Sequence, residues 1–251
     1  MNTKSPKALA EKPLPKKATR VVAAKRKPEP VDRRAQILDV SARLFCEFGF
    51  EQTSVRQIAD QLNMLPGSLY HHFETKEDIL HEIIRKPQQR IVRQDEVLTR
   101  LPVNAELRLV ATVISRFHQF SSNWEVQVLL TQESNFFRQR QDFAYVQKAK
   151  DGASISMQGL LKEGVKDGLF RAGIDPYLLI GTIWTIISSA AGRLRADQFA
   201  GARTRKGYSF DDVIDYHLDC ILRMVRPASR IDDLIPRKAA EKLVASCIDD
   251  V

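Results

Sequence analysis

The chain is poor in the residues that staple a fold or ligate a metal. Its three cysteines, Cys46, Cys220 and Cys247, are far apart, odd in number and without a CxxC pair. That pattern argues against a disulfide framework or a structural zinc site, and it suits a reducing cytoplasm. The signatures G-x-S-x-G, G-x-x-x-x-G-K and H-E-x-x-H are all missing, so the sequence advertises no nucleophile elbow, phosphate loop or metalloprotease helix. His71 and His72 are adjacent, which on a helix sets them about 100° apart and prevents them from sharing one metal as an i, i+4 pair could. His81, His118 and His217 stand alone on separate segments. No cofactor, no metal and no enzymatic activity are expected. Long apolar runs are also lacking: the uncharged stretch Tyr177 to Gly192 has 16 residues, short of the ~20 a membrane-spanning helix needs. It reads as a helix buried on several sides, with no membrane partner. The N-terminus has charge but no apolar core after it, so it is not a secretory signal.

Positive charge is abundant but unevenly placed. The formal net charge is +8, and residues 1–30 alone carry nine lysines or arginines against Glu11 and Glu29. Five prolines and few large apolar residues make 1–30 a disordered basic arm. Between Asp32 and Lys86 the nine acids outnumber the seven bases. Any nucleic-acid affinity of that region must come from the placement of its groups, helped by the arm.

Local signals then become dense. Asp32 caps a first helix with Ile37, Leu44, Phe45 and Phe48 at helical spacing, and Gly49 ends it with Phe50 placed to fold back on Phe45. Ser54 with Gln57 forms a capping box for a short helix whose apolar face is Val55, Ile58, Ala59 and Leu62. Asn63, tolerant of left-handed backbone, ends it. Pro66 stands where a first helical residue would, with Leu69, Tyr70 and Phe73 following, and Thr75 with Asp78 opens another helix. Such a unit sets a short helix into the DNA major groove. Further on, Pro87 removes a backbone donor, so the helix carrying Ile79, Leu80, Ile83 and Ile84 should either bend there or stop at Lys86.

The order T-S-V-R-x-I-A, G-S-L-Y-H-H-F and T-K-E-D-I-L, without a gap, resembles the TetR family of transcriptional regulators over about residues 32–85. The resemblance implies DNA contacts from Ser54, Arg56, Pro66, Gly67, Ser68, Tyr70, His71, His72 and Lys76. Arg56 would read a base edge, since a bidentate guanidinium on guanine is the commonest specific contact. Pro66, Gly67 and Ser68 would face the bases, while Tyr70, His71, His72 and Lys76 hold phosphates or a base edge. Ser54 would present its helix terminus to the backbone. The turn has Asn63 where the family commonly has Gly, and the recognition helix starts without a long side chain, which leaves fewer direct base contacts.

From Asn104 to Arg226 the pattern is all-helical, with segments near 104–121, 124–138, 141–167, 176–196 and 210–226. The expected fold is all-α: a basic arm (1–30), a helix-turn-helix DNA-binding domain (31–86), a helical ligand-binding and dimerisation domain (87–226) and a C-terminal tail (227–251). The resemblance implies a homodimer in which the helix 176–196 and the last long helix pair with their symmetry mates as a four-helix bundle. It also implies a small-molecule effector. Trp184, then Trp124, with Val128 and Phe143, are the expected pocket residues, although all four are first of all candidates for core. The motif L-P-G-S-L-Y-H-H-F and the G-L-F turn before Asp175-Pro176 point to regulators of fatty-acid or steroid catabolism that sense acyl-CoA thioesters. The leading expectation is a cytoplasmic bacterial repressor released from a palindromic double-stranded operator by an apolar effector. An architectural DNA binder without an effector, and more remotely an enzyme with a helical pocket, are the alternatives.

Overall fold

The computed structural model describes residues 32–199 and 207–249; the basic arm (1–30) lies outside the described residues. Those residues form eleven α-helices and no strand: α1 Arg33–Phe48, α2 Val55–Gln61, α3 Pro66–Tyr70, α4 Lys76–Arg100, α5 Ala105–Ser122, α6 Trp124–Gln132, α7 Ser134–Gln139, α8 Ala144–Lys166, α9 Pro176–Phe199, α10 Phe210–Val225 and α11 Arg237–Asp249. The helix starts are fixed locally. Ser54, Thr75 and Ser209 each accept a bond from the backbone three residues on, and Gln57, Asp78 and Asp212 reach back to the cap. Each such box satisfies two donors that a helix start leaves open, and losing the cap side chain costs about 1 kcal/mol. Asn63 adopts φ 51° and Gly49 φ 87°, giving the left-handed turns that end α2 and α1. Phe50 then packs edge-on against Phe45, with ring centroids 5.1 Å apart.

Pro87 does not stop α4, which runs unbroken from Lys76 to Arg100. A proline inside a helix costs about 3 kcal/mol. Ile79, Leu80, Ile83 and Ile84 before it and Ile91 and Leu98 after it are all buried, and each is worth roughly 1.5–3 kcal/mol. Packing on both sides of the proline therefore outweighs the lost bond.

Two apolar cores result. The first joins α1–α4 through Ile37, Phe45, Phe50, Ile58, Leu69, Phe73 and Ile84, but it also takes in Val126, Leu129 and Leu130 of α6, Phe137 of α7, Phe143, and Val146 of α8. The second gathers α5, α8, α9 and α10 around Leu109, Phe117, Leu160, Ile183 and Leu218. Position 86/87 thus lies within a helix, and the core around the short helices extends well past it.

The stretch 227–251, expected as a tail, contains α11, whose Ala240, Val244 and Cys247 are buried in the second core. The segment leading to it is anchored by Arg226, whose Nε and Nη2 donate to both oxygens of Glu106 on α5 at 3.1 and 2.8 Å. The same guanidinium donates to the carbonyls of Asp233 and Leu234. The apolar period in K-A-A-E-K-L-V-A-S-C is short and starts without a side-chain cap of the Ser/Thr/Asp type, so the helix is hard to read from local pattern.

Candidate nucleic-acid interface and ligand cleft

Helices α2 and α3 form a ridge that faces away from both cores. Ser54, Arg56, Gly67, Tyr70, His71 and His72 are exposed, and Pro66 and Ser68 are half-buried, while Ile58, Ala59 and Leu69 are buried underneath. Among the described residues Arg56 is paired only with Asp60 one turn on, at 3.9 Å, with both side chains exposed. A surface pair of this kind is worth about 0–1 kcal/mol, so the guanidinium can leave it for another partner. The position a Cβ would take on Gly67 has no atom within 4 Å; no contact inside the chain demands glycine there.

Lys76 is engaged inside the chain. Its Nζ donates to the carbonyls of Phe50, Glu51 and Thr53 at 2.7, 3.3 and 3.0 Å and lies 4.3 Å from the centroid of the Phe50 ring. An ammonium has three donors, and all three are spent on closing the α1–α2 turn against the start of α4. None remains for a phosphate.

The same turn is gripped from the other side. Glu133 accepts from the backbone N–H of Phe50 at 3.0 Å, and Cys46 donates its thiol to the carbonyl of Glu125 at 3.2 Å. Burial, with the nearby Glu125 carboxylate, pushes the Cys46 thiol up to about 12, so it stays protonated and unreactive. On α4, His81 stacks on Phe143 with centroids 4.1 Å apart, and its Nδ1 lies 3.4 Å from the Tyr145 hydroxyl.

Helices α4, α5, α6, α8 and α9 border an open cleft of about 850 Å³ with Ile91, Phe120, Leu130, Lys150, Ile180 and Trp184 in its walls. A second opening of about 630 Å³ lies between α4 and α8, lined by Val92, Arg93, Tyr145 and Lys148 among others. Volumes of 300–1,000 Å³ are usual for small-molecule sites. Of the expected pocket residues, only Trp184 lines the cleft. Phe143 is fully buried in the first core against Phe136, Phe137 and His81, because the turn before α8 folds toward the DNA-binding helices rather than the cleft. Trp124 packs on α9 instead: a Cβ on Gly192 would stand 2.9 Å from its ring. Val128 is half-buried on α6 and belongs to neither opening.

Sequence reasoning passed over the polar floor of the cleft. Arg116 of α5 is buried and donates to Asp95 of α4 and, at 2.8 Å, to Gln119. Gln119 in turn donates to Gln94 and Ser115 at 2.6 and 3.1 Å. Burial pushes the Asp95 carboxyl up against the pull of Arg116, and it pushes the Arg116 guanidinium down against the pull of Asp95. The available signal was a charged residue close after the apolar run L-V-A-T-V-I of α5, a helix too apolar to leave a polar face.

Residues 37–83 match the family described as bacterial regulatory proteins, tetR family. The HTH-type transcriptional repressor KstR2 of Rhodococcus jostii RHA1 is 31% identical over 159 residues, 62% of this chain and 78% of that protein. The solved structure of the ketosteroid transcriptional regulator KstR2 of Mycobacterium tuberculosis has a TM-score of 0.68 at 23% identity, covering 79% of this chain and 97% of that one. The regulator FadR of Bacillus subtilis, solved in complex with stearoyl-CoA, gives a TM-score of 0.52 at 23% identity over 76% of this chain and 99% of its own. Both structures share the fold of this chain.

Proposed function

The chain belongs to the tetR family of bacterial regulatory proteins, and from that premise we propose that it is a dimeric repressor that leaves a palindromic operator when a small apolar effector fills the cleft. The ridge of α2 and α3 supplies the DNA contacts. Arg56 reads a guanine, Gly67 and Ser68 let the backbone approach the bases, and Ser54, Tyr70, His71 and His72 hold phosphates. Operator binding places the protein in the cytoplasm.

The effector is a fatty-acyl or steroid CoA thioester. Apolar walls at Ile91, Leu130, Ile180 and Trp184 suit the hydrocarbon, and Lys148, Lys150 and Arg93 beside the openings suit an anionic head. The names of KstR2 and the FadR complex support the same class. Dimerisation uses the outer faces of α9 and α10, where Ser189 and Tyr216 are exposed.

The observation that carries the switch is the shared first core. Residues of α6, α7 and α8 pack among the DNA-binding helices, while the cleft is lined by α4, α6 and α8. An occupant that shifts these helices therefore shifts the ridge, and it acts through its differential affinity for the two arrangements. Fluorescence anisotropy on a selected operator duplex tests this. Stearoyl-CoA or a steroid CoA thioester should weaken binding at least about tenfold, and free CoA should not. An unchanged affinity with every thioester would remove the effector class.

A further inference from the structure

We propose that the floor of the cleft is a recognition point for one uncharged hydrogen-bond acceptor of the ligand, a ketone, ester or thioester carbonyl, which takes the free Nε–H of Arg116. This rests on the cleft being the ligand site and specifies what the ligand must carry.

Arg116 is 7% exposed and lines both the cleft and a void of about 10 Å³ beneath it. Its Nη1 donates to Gln119 and its Nη2 to Asp95. The Nε is buried and has no hydrogen-bond partner among the described residues. A buried donor left unmade costs about 1–3 kcal/mol, so a ligand that supplies the acceptor gains what an alkane cannot.

The group is also held in place. Gln119, bonded to Gln94 and Ser115, fixes one edge of the guanidinium, Asp95 fixes another, and the Trp184 ring covers it at 5.1 Å from the centroid. Such an arrangement holds the guanidinium in one orientation, which lowers the cost of binding an acceptor to it.

Charge decides which acceptor fits. Asp95 already balances Arg116. A ligand carboxylate at Nε would set a second anion near Asp95 in a site of low dielectric, where like charges repel strongly. A carbonyl accepts the same N–H and adds no charge.

The probes are methyl decanoate, decanoate and undecane, which match in length and differ in the acceptor. Binding is read from Trp184 emission in a Trp124→Phe background. Methyl decanoate should bind roughly tenfold tighter than either of the others. In the double variant Arg116→Met with Asp95→Asn, which leaves no stranded carboxylate, the three should fall within about threefold, with circular dichroism confirming the fold. The wild-type series decides the matter even if that variant is unstable. Equal affinity for all three in the wild type would overturn the acceptor while leaving the cleft as a ligand site. Tightest binding by decanoate would overturn its neutrality. No response to any of the three would overturn the cleft as a ligand site, and the proposal with it.

Discussion

Lys76 and Arg56 have different roles beside the α2–α3 ridge, and single substitutions separate them. Lys76→Met removes charge-assisted bonds to three carbonyls. It should cost about 1–3 kcal/mol of stability, or roughly 2–12 °C in melting temperature, without changing how DNA affinity depends on salt. Arg56→Ala touches only an exposed pair with Asp60. It should leave the melting temperature alone, weaken specific binding by about 1–3 kcal/mol and relax the preference at one base pair. Thermal melts and salt titrations on both variants check this; a salt slope lowered by about one for Lys76→Met would return that residue to the phosphates. The sequence could not show the role of Lys76, because its partners are backbone carbonyls 23 to 26 residues away. The exposure of Arg56 could be read, since Val55, Ile58 and Ala59 already claim the inward face of its helix.

Among the elements, those set by neighbours in sequence were legible. The capping boxes of α2, α4 and α10, the Asn63 turn, and Asp175 accepting from Leu178 N–H at 3.0 Å ahead of Pro176 at the start of α9 depend on residues at most four apart. What depended on distant packing was not legible. Pro87 was survivable only because both halves of α4 are buried, and Phe143 joined the first core only because α7 and α8 fold back on α4. The helix α11 belongs to this second kind. It lies against α5 and α4, and it buries Ala240, Val244 and Cys247. Deleting residues 227–251 removes these contacts and leaves the Glu106 carboxylate without its Asp233- and Leu234-anchored arginine geometry. The cost should be at least about 3 kcal/mol, seen as a melting temperature roughly 6–12 °C lower. A truncated protein melting with the full-length chain would make α11 dispensable.

For the whole molecule, α9 faces two ways. Ile183, Ile187, Ala190 and Ala191 are buried within the chain, so a charge at Ala190 would disrupt the chain's own core. Ser189 is exposed on the same helix. Ser189→Glu should leave the fold intact and weaken the dimer, because an unpaired charge in a packed interface costs several kcal/mol; sedimentation of the variant as a stable dimer would move the interface off α9. A monomer cannot span two half-sites, so the same variant should also lose cooperative operator binding. The central claim is that the α2–α3 ridge of a symmetric dimer reads specific DNA. Selection of binding sites from a randomised duplex pool tests it most directly. The account predicts enrichment of an inverted repeat with half-sites on one face of the duplex, each containing a guanine whose preference vanishes with Arg56→Ala. A pool that stays random after repeated rounds, while still being bound, would contradict it.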